Sequence, residues 1–319
     1  MGVTNIKKKK KLNYQKIDFR KVRTKIWADR YMYLMTLPVI IYFLIFKYWP
    51  MGWLRIAFYD FKILRGIEGS KFVGLKYFKT FLDNPDFLKI MWNTLYLNIL
   101  NLLFVFTAPI LFALLLNEIF KNRFKKVIQT VSYLPHFLSM VVVTSMITTF
   151  LSPSIGIVNA VIKKLGYETI HFLGRPGYFR GIMIVSGIWQ GMGWGSILYL
   201  SALAGIDMEQ YEAAVIDGAN RFQQILFVTL PGIANTIMIM LILQIGNLLS
   251  VGFEKVYLLQ NAQNISVSEV LSTYVYKMGI QSSNYSLATA VGLFNAVISL
   301  ILVLGANRLS AKYSETSLI

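Results

Sequence analysis

The chain has 319 residues, of which 55% are hydrophobic and only 15% charged, and its mean hydropathy is +0.54. A soluble domain usually has about 25% charged residues, so this composition argues against an ordinary soluble protein and indicates a membrane protein. The absence of cysteine excludes disulfides, thiolate metal sites and cysteine nucleophiles. The two histidines, His136 and His171, are far apart and lie in no HExxH pattern, so we expect no catalytic metal.

The net charge of +17 could indicate a nucleic-acid partner or a membrane surface. Its densest part is the N-terminus, where a run from Lys7 to Lys11 is followed by Lys16, Arg20, Lys21, Arg23 and Lys25. Basic residues just before a first apolar stretch are typical of a cytoplasmic end. Because no basic domain with interleaved aromatic residues follows, we interpret the charge as a topology signal and expect no nucleic acid. Residues 1–30 are predicted to form a basic cytoplasmic segment.

Six apolar stretches follow, each long enough to cross about 30 Å of hydrocarbon as a helix. They predict an all-α membrane protein with a transmembrane domain over residues 31–306. The predicted spans are Tyr31–Trp49, Thr94–Leu116, Ile128–Leu151, Gly181–Ala204, Ile233–Val251 and Ser286–Ala306. An even number of spans places both termini in the cytoplasm, with residues 307–319 as a tail. The loop Pro50–Asn93 then faces outward despite its Lys and Arg residues, because long loops obey the charge rule poorly.

The predicted spans contain almost no ionisable side chains, and Lys47 lies at a span end, where it can reach the interface. Ion-coupled transporters usually carry carboxylates or histidines at membrane depth. The chain also lacks the glycine-rich loop with Lys-Ser/Thr that cradles nucleotide phosphates. The energy for any transport is therefore expected from a partner.

The loop between the fourth and fifth spans, Asp207–Pro231, is predicted to form two short helices. Capping pairs stand three residues apart in each: Asp207 with Gln210, and Asn220 with Gln223. Gly218 stands where the first helix needs a left-handed residue to end. Pro231 and Gly232 are predicted to break the second helix before span five begins. Such a pair of helices could simply be an amphipathic segment on the membrane surface.

The same loop reads Glu-Ala-Ala, three residues, Gly, nine residues and Val-x-Leu-Pro, from Glu212 to Pro231. This pattern resembles the EAA loop of ABC importer permeases, where isoleucine replaces Val228. The resemblance implies the ABC importer type I permease fold and a coupling helix that docks into a cleft of a cytoplasmic ATPase. It assigns coupling roles to Glu212, Ala213, Ala214, Asp217, Gly218, Leu230 and Pro231. Taken singly, the alanines could reflect helix propensity and Glu212 a solvated surface charge.

Further segments resemble the carbohydrate branch of the binding-protein-dependent permeases, and within it the polysaccharide type. They are Tyr133–Phe137, Gly252–Leu259, Ser268–Tyr276 and Ala290–Asn295. The resemblance implies a multi-pass protein of the bacterial cell membrane that transports an oligosaccharide and performs no chemistry itself. Its implied partners are a second homologous permease, an extracytoplasmic binding lipoprotein, membrane lipid and two ATPase subunits that hold ATP and Mg; this chain would bind no cofactor.

Polar and aromatic side chains in the spans are candidates for the substrate path, because aromatic faces stack on sugars and amides bind hydroxyls. The candidates are Trp189, Gln190, Trp194, Gln244, Asn247 and Asn295. Gln244 and Asn247 are three residues apart and share a helix face. The alternative for the amides is hydrogen bonding between helices. The glycines around Trp189 allow close helix packing, and alternatively permit a locally broken helix that exposes backbone near the membrane midplane. His136, next to Pro135, is interpreted as structural.

Three other functions remain as alternatives. The first is an ABC permease for another solute, such as glycerol phosphate. The second is a membrane-embedded transferase, for which Asp83 and Asp86 are the spaced carboxylates, although they flank Pro85 and have no partner motif. The third is half of a secondary transporter, which the lack of charge within the spans disfavours.

Overall fold

The computed structural model describes residues 27–250 and 252–313. The predicted basic segment up to residue 26 and the predicted tail from residue 314 lie outside the described residues. The chain divides into two units, one up to Arg55 and one from Ile56.

The described part of the first unit is helical and matches the predicted first span. Helix α1, Arg30–Phe43, passes into a π-helical turn, Leu44–Tyr48, and then into Trp49–Met51 and a 3-10 segment that begins at Gly52. In the π turn the N–H of Trp49 donates to the carbonyl of Leu44. This wider turn immediately precedes Pro50, which has no N–H to continue the regular pattern.

The second unit opens with a β-hairpin, which the all-α prediction did not contain. Strands β1, Tyr59–Lys62, and β2, Gly66–Phe72, pair antiparallel. A two-stranded hairpin is marginal by itself, and here Ser286 supports it by accepting from the N–H of Phe61 (3.0 Å) and donating to the carbonyl of Tyr59 (2.6 Å).

A hydrogen bond fastens the hairpin to the helix that follows it. The hydroxyl of Tyr77 donates to Oδ1 of Asp60 at 2.6 Å. That bond holds the pKa of Asp60 below its usual value, while burial, and then the bond, raise the pKa of Tyr77 to about 12. The pair therefore stays a phenol and a carboxylate at neutral pH.

The rest of the second unit is helical. Its helices are α2 Lys76–Leu82, α3 Phe87–Leu100, α4 Thr107–Asn117, α5 Asn122–Tyr133, α6 Met140–Phe150, α7 Ile157–Lys164, α8 Pro176–Leu203, α9 Met208–Ile216, α10 Arg221–Gln224, α11 Leu230–Gly246, α12 Phe253–Leu259, α13 Ile265–Ser268, α14 Leu271–Tyr276 and α15 Tyr285–Tyr313. Further π turns continue three of them: Asn101–Val105 after α3, Ile225–Thr229 after α10, and Lys277–Gln281 after α14.

Four helical segments of the described chain are long and apolar enough to cross a bilayer: Arg30–Phe58, Phe87–Asn117, Arg221–Gly246 and Tyr285–Arg308. A bent pair, Asn122–Phe137 with Met140–Phe150, would make a fifth. Helix α8, with 28 residues, is also long enough to span a bilayer, but its glycine-rich sequence is less apolar than these segments. A membrane protein of several spans is thus confirmed, whereas the number six remains a prediction.

The predicted third span, Ile128–Leu151, is wrong as one continuous helix. The chain bends by 99° between α5 and α6, through a 3-10 turn at Leu134–Phe137 that contains the buried Pro135. Ser139 then starts α6 by accepting from the N–H of Val142. Proline disrupts the regular helix, and a serine in extended conformation favours a new one.

The predicted helix break at Pro231 and Gly232 is also wrong. The helix from Arg221 continues to Gly246, with Pro231 in the first turn of α11. A π turn lets it do so, because the N–H of Leu230 donates to the carbonyl of Ile225 just before the proline. A π turn, Leu44–Tyr48, also precedes Pro50. Span five also ends earlier than predicted, at Gly246, with Asn247 as its C-cap; Val251 lies outside the described residues.

Buried clusters connect these helices. Under the loop that follows α8, apolar side chains of α4, α8 and α11 pack together: Ile110, Ala113, Leu114, Tyr199, Leu203 and Ile233. A second cluster joins α3, α8, α12 and the start of α14, with members Leu97, Phe179, Met183, Val256, Leu259 and Val270. Helix α8 belongs to both clusters, so it ties the loop at its C-terminal end to the helices around its N-terminal half.

Candidate functional site

Helix α9 forms the first half of the predicted helix pair. The carboxylate of Asp207 accepts from the N–H of Glu209 at 3.1 Å, so Asp207 caps the helix, but without Gln210. At the other end the N–H of Ala219 donates to the carbonyl of Ala214 (2.8 Å), and that of Gly218 to Val215 (3.0 Å). This is a Schellman motif, and Gly218 has the positive φ, +79°, that the motif requires.

The second helix begins with the predicted capping box. The side chain of Asn220 accepts from the N–H of Gln223 (2.9 Å), and that of Gln223 accepts from the N–H of Asn220 (2.8 Å). The hydroxyls of Tyr211 and Thr229 lie 3.0 Å apart and join the two helices. Hydrogen bonds within the loop therefore fix how its two helices are joined.

A cleft of about 1050 Å³ lies between this loop and the ends of α4 and α8. Glu118, Phe120, Leu203, Tyr211, Glu212, Arg221 and Thr229 are among its lining residues. The guanidinium of Arg221 lies 5.3 Å from the ring centroid of Phe120, a cation–π contact that joins α10 to the segment before α5. The loop therefore borders the ends of α4 and α8.

Helix α9 and the turn that follows it are exposed and acidic. Glu212, Ala213 and Asp217 are exposed, Ala214 is half-buried, and Ile216 is 86% exposed. Residues 207–224 contain four carboxylates against the single basic Arg221, in a chain of net charge +17. Asp217 also caps the negative end of the α9 dipole, where its charge is unfavourable. In the described part of the chain neither Glu212 nor Asp217 forms an ion pair, so this face suits a basic partner surface.

Leu230 and Pro231 lie apart from that face. Leu230 is half-buried, and Pro231 is exposed in the first turn of α11. Their place in the helix accounts for them structurally, since Leu230 packs against the cluster beneath the loop. Their predicted share in coupling stays a prediction.

The path candidates on α8 do not form one surface. Trp189 lines an apolar groove of about 590 Å³ between α6, α7 and α8. Trp194, five residues later and about 140° around the helix, stacks on His136 at 4.7 Å with nearly parallel rings. Phe137 meets the same indole edge-on at 5.3 Å. Gln190, half-buried, lies one turn before Trp194.

The remaining path candidates differ in their surroundings. Gln244 is half-buried near the end of α11, and Asn247 is exposed, with its amide donating to the carbonyl of Leu243 at 3.1 Å. Asn295 lies in α15, and its Oδ1 is buried without a hydrogen-bond partner among the described residues. A buried unsatisfied carbonyl is costly, so Asn295 is the amide of the set whose setting most favours a ligand.

The carboxylates considered for a transferase have ordinary roles at helix ends. Asp83 caps the end of α2, and Asp86 precedes α3 with an exposed ion pair to Lys89 at 3.6 Å. Within residues 27–250 and 252–313, no three His, Cys, Asp or Glu side chains come together as a metal site would require. Nothing in the described residues therefore supports the transferase reading of Asp83 and Asp86.

Sequence reasoning missed two basic residues, one in α8 and one that packs against it. Arg180 lies one turn into that helix, just before the predicted fourth span, and Lys255 is 7% exposed in α12. A single lysine in the apolar stretch from Phe253 to Leu259 was the available signal, but its burial depends on α12 folding against α8.

The long apolar helices place the chain among the multi-pass membrane proteins, and an exposed acidic helix pair precedes one of them. Residues 105–314 match the family described as binding-protein-dependent transport system inner membrane component, and the chain belongs to that family. The predicted family membership is thereby confirmed. The family is one of transporter components, and its members are proteins of the inner membrane.

Relatives match over nearly the whole chain. Protein LplB of Bacillus subtilis (strain 168) is 47% identical over 91% of this chain and 91% of its own. The polygalacturonan/rhamnogalacturonan transport system permease protein YteP of the same organism is 45% identical over 95% of this chain and 94% of its own. A crystal structure of a bacterial ABC transporter for import of the acidic polysaccharide alginate contains a chain with a TM-score of 0.85 and 42% identity, covering 92% of this chain and 99% of that one. The same transporter has been solved with an alginate pentasaccharide-bound periplasmic protein.

Proposed function

We propose that this chain is a pore-forming permease subunit of an ATP-driven importer for oligosaccharides, and that a partner ATPase docks on the loop 207–231. The observation that carries the proposal is the rigid acidic face of that loop, which stands over a cleft reaching α4 and α8. An ATPase seated there would move both helices when it closes. Glu212 and Asp217 would pair with its basic residues, and Ala213 and Ala214 would let the helix backbone approach closely.

The cargo is proposed from the relatives and from the path residues. YteP is named for polygalacturonan and rhamnogalacturonan, and the solved transporter for alginate. Both names therefore refer to the transport of polysaccharides. The exposed indoles of Trp189 and Trp194 offer stacking surfaces, and the amides of Gln190, Gln244, Asn247 and Asn295 offer hydrogen bonds to hydroxyls. Glycerol phosphate and other solutes are disfavoured by the greater similarity to the polysaccharide systems.

The partners follow from the same proposal. A second permease of this family would complete the pore, and two ATPases would hold ATP and Mg. An extracytoplasmic binding protein would deliver the saccharide, as in the solved alginate complex. This chain would hold no cofactor and would alternate between inward-facing and outward-facing states, whose balance each ligand shifts by its differential affinity.

Co-purification tests the coupling site. Tagged wild-type chain, extracted from its native membranes in mild detergent, should bring an ATPase and a second permease that mass spectrometry identifies. Glu212→Ala should reduce the recovered ATPase by about tenfold or more, because truncating one partner of a buried charge pair costs about 2–5 kcal/mol. Glu68→Ala, which removes an equally exposed carboxylate from the hairpin, should leave the recovery unchanged. Recovery of the ATPase that is equal for all three proteins would contradict the proposed docking.

Single-cysteine labelling tests the six-span topology, and the chain contains no cysteine to interfere. Three proposed crossings, including α8, separate the hairpin from the loop after α8. A membrane-impermeant maleimide on intact cells should therefore label Glu68→Cys, and should label Ala213→Cys only after the membrane is opened. Labelling of both from outside would mean that an even number of crossings separates the two positions and would contradict the six-span topology, and the reverse pattern would mean inverted ends.

A further inference from the structure

Lys255 is a buried cation with weak compensation. It is 7% exposed, and its Nζ reaches only the backbone carbonyl of Met183, at 3.4 Å, among the described residues. Gly187, one turn further along α8, adjoins the ammonium, since a Cβ there would lie in ordinary contact with Nζ at 3.9 Å. An ammonium removed from water requires a strong partner, and a carbonyl that already belongs to a helix is a poor one.

Arg180 lies one turn before Met183 and is also without a carboxylate. Its Nη2 donates to Oδ1 of Asn93 at 3.0 Å, and its guanidinium lies 4.4 Å from the ring centroid of Tyr96. Its Nε is buried and has no hydrogen-bond partner in the described chain. Asn93 is held in place by donating to the carbonyls of Ser266 and Glu269, so its oxygen is directed at the guanidinium.

Arg180 lies on one face of α8, and Lys255, which belongs to α12, contacts the same face through the carbonyl of Met183. Residues 180, 183 and 187 follow the three- and four-residue spacing of a helix face. This face contacts α3 through Asn93 and Tyr96, the π turn through Val105, and α12 through Lys255. Met183 lies about 10 Å along the helix from its start at Pro176, so Lys255 lies deeper than Arg180. The nearby acids do not neutralise them, because Glu269 is paired with Lys277 and Glu254 is exposed.

Aromatic rings adjoin the outer cation. Tyr96, beneath the guanidinium of Arg180, stacks on Trp92 at 5.7 Å, and Trp92 is 60% exposed. A sugar ring has an apolar face that fits an indole, and a guanidinium binds a carboxylate through charge-assisted hydrogen bonds. Ring surface and cation therefore stand together at the outer ends of α3 and α8.

We propose that Arg180 of α8 and Lys255 of α12 form an anion-binding track along one face of α8 that binds the carboxylates of a uronic-acid-containing oligosaccharide, with Trp92 and Tyr96 as its stacking surface. This inference rests on the oligosaccharide function proposed above and adds the charge class of the cargo. Arg180 receives a carboxylate at the outer end, and Lys255 receives one deeper in the bundle. The neutral oxygens that hold the cations here, an amide and a helix carbonyl, are groups that a carboxylate outcompetes.

Uptake by the complete importer tests the track. The complex, purified with the companions identified above and reconstituted in liposomes with its binding protein and ATP, would be offered four labelled probes. Trigalacturonate and an alginate trimer are acidic, whereas maltotriose and fully methyl-esterified trigalacturonate are neutral. Wild type should take up the acidic probes at least about tenfold faster than the neutral ones. Arg180→Gln and Lys255→Gln should each lower acidic uptake by about tenfold, and Lys163→Gln, an exposed lysine of α7, should not.

The outcomes distinguish a failure of the anion-binding track from a failure of the proposed oligosaccharide transport. Preferential uptake of neutral probes, or acidic uptake that both Gln variants retain in full, would overturn the track and leave an oligosaccharide importer. Uptake of no probe would overturn the proposed oligosaccharide cargo itself. If a Gln variant fails to assemble with its companions, Arg180→Lys and Lys255→Arg keep the charge and should retain most acidic uptake, and the wild-type preference for acidic probes remains decisive.

Discussion

Gly218→Val should weaken the functional contact between this chain and its ATPase while leaving the membrane helices folded. Gly218 holds φ at +79° in the Schellman turn between α9 and α10, and a residue with a Cβ costs roughly 1–2 kcal/mol in that conformation. A β-branched side chain is the least tolerant of it. The turn would rearrange, and the exposed face with Glu212 and Ala213 would lose its fixed direction. We expect ATPase activity stimulated by the loaded binding protein to fall about 5- to 30-fold, since that is the range such an energy corresponds to.

The matched control is Gly218→Asn. Asparagine adopts the left-handed region more readily than other residues with a side chain, and no atom lies within 4 Å of a Cβ built at this position. This variant should therefore retain most of the stimulated activity. Equal activity in wild type and both variants would show that the partner does not depend on the geometry of this turn. Equal loss in both variants would show that it requires the absence of a side chain, which points to direct backbone contact.

Local sequence signals predicted the loop well because each is satisfied within a few residues. Asn220 and Gln223 form the reciprocal hydrogen bonds of the capping box, and Gly218 has the backbone conformation that its position indicates. Short-range geometry alone decides such features. Gly218 is the one of these residues that also belongs to the family pattern.

The wrong structural predictions concern places where the folded backbone differs from what the local sequence indicates. Pro231 was expected to end a helix, but a π turn donating from Leu230 to Ile225 removes the conflict. Pro135 lay inside a stretch apolar enough to be read as one span, and hydropathy is insensitive to a 99° bend. The hairpin at Tyr59–Phe72 depends on Ser286, more than 200 residues away, and the burial of Lys255 depends on contact with α8. Long-range contacts of this kind leave no periodicity in the sequence.

Gly193→Ala should strongly destabilise the bundle. A Cβ at Gly193 would lie 2.1 Å from the backbone oxygen of Ser132 and 2.4 Å from its carbonyl carbon. A backbone group cannot move aside as a flexible side chain can, so α5 and α8 would have to separate. Overpacking of this kind typically costs about 1–3 kcal/mol, occasionally more. Thermal unfolding of the purified chain, followed by fluorescence-detected size exclusion, should show a midpoint several degrees below that of wild type.

Gly191→Ala supplies the control on the same helix, because nothing lies within 4 Å of a Cβ there. Alanine also has the higher helix propensity, so the midpoint should stay level or rise slightly. The pair distinguishes the two interpretations of the glycine-rich stretch in α8. A large loss at Gly193 alone means that glycine serves close packing of α8 on the first half of the bent pair. Equal effects at the two positions would contradict that packing, and transport lost at Gly191 with unchanged stability would indicate that the backbone there is exposed to the cargo.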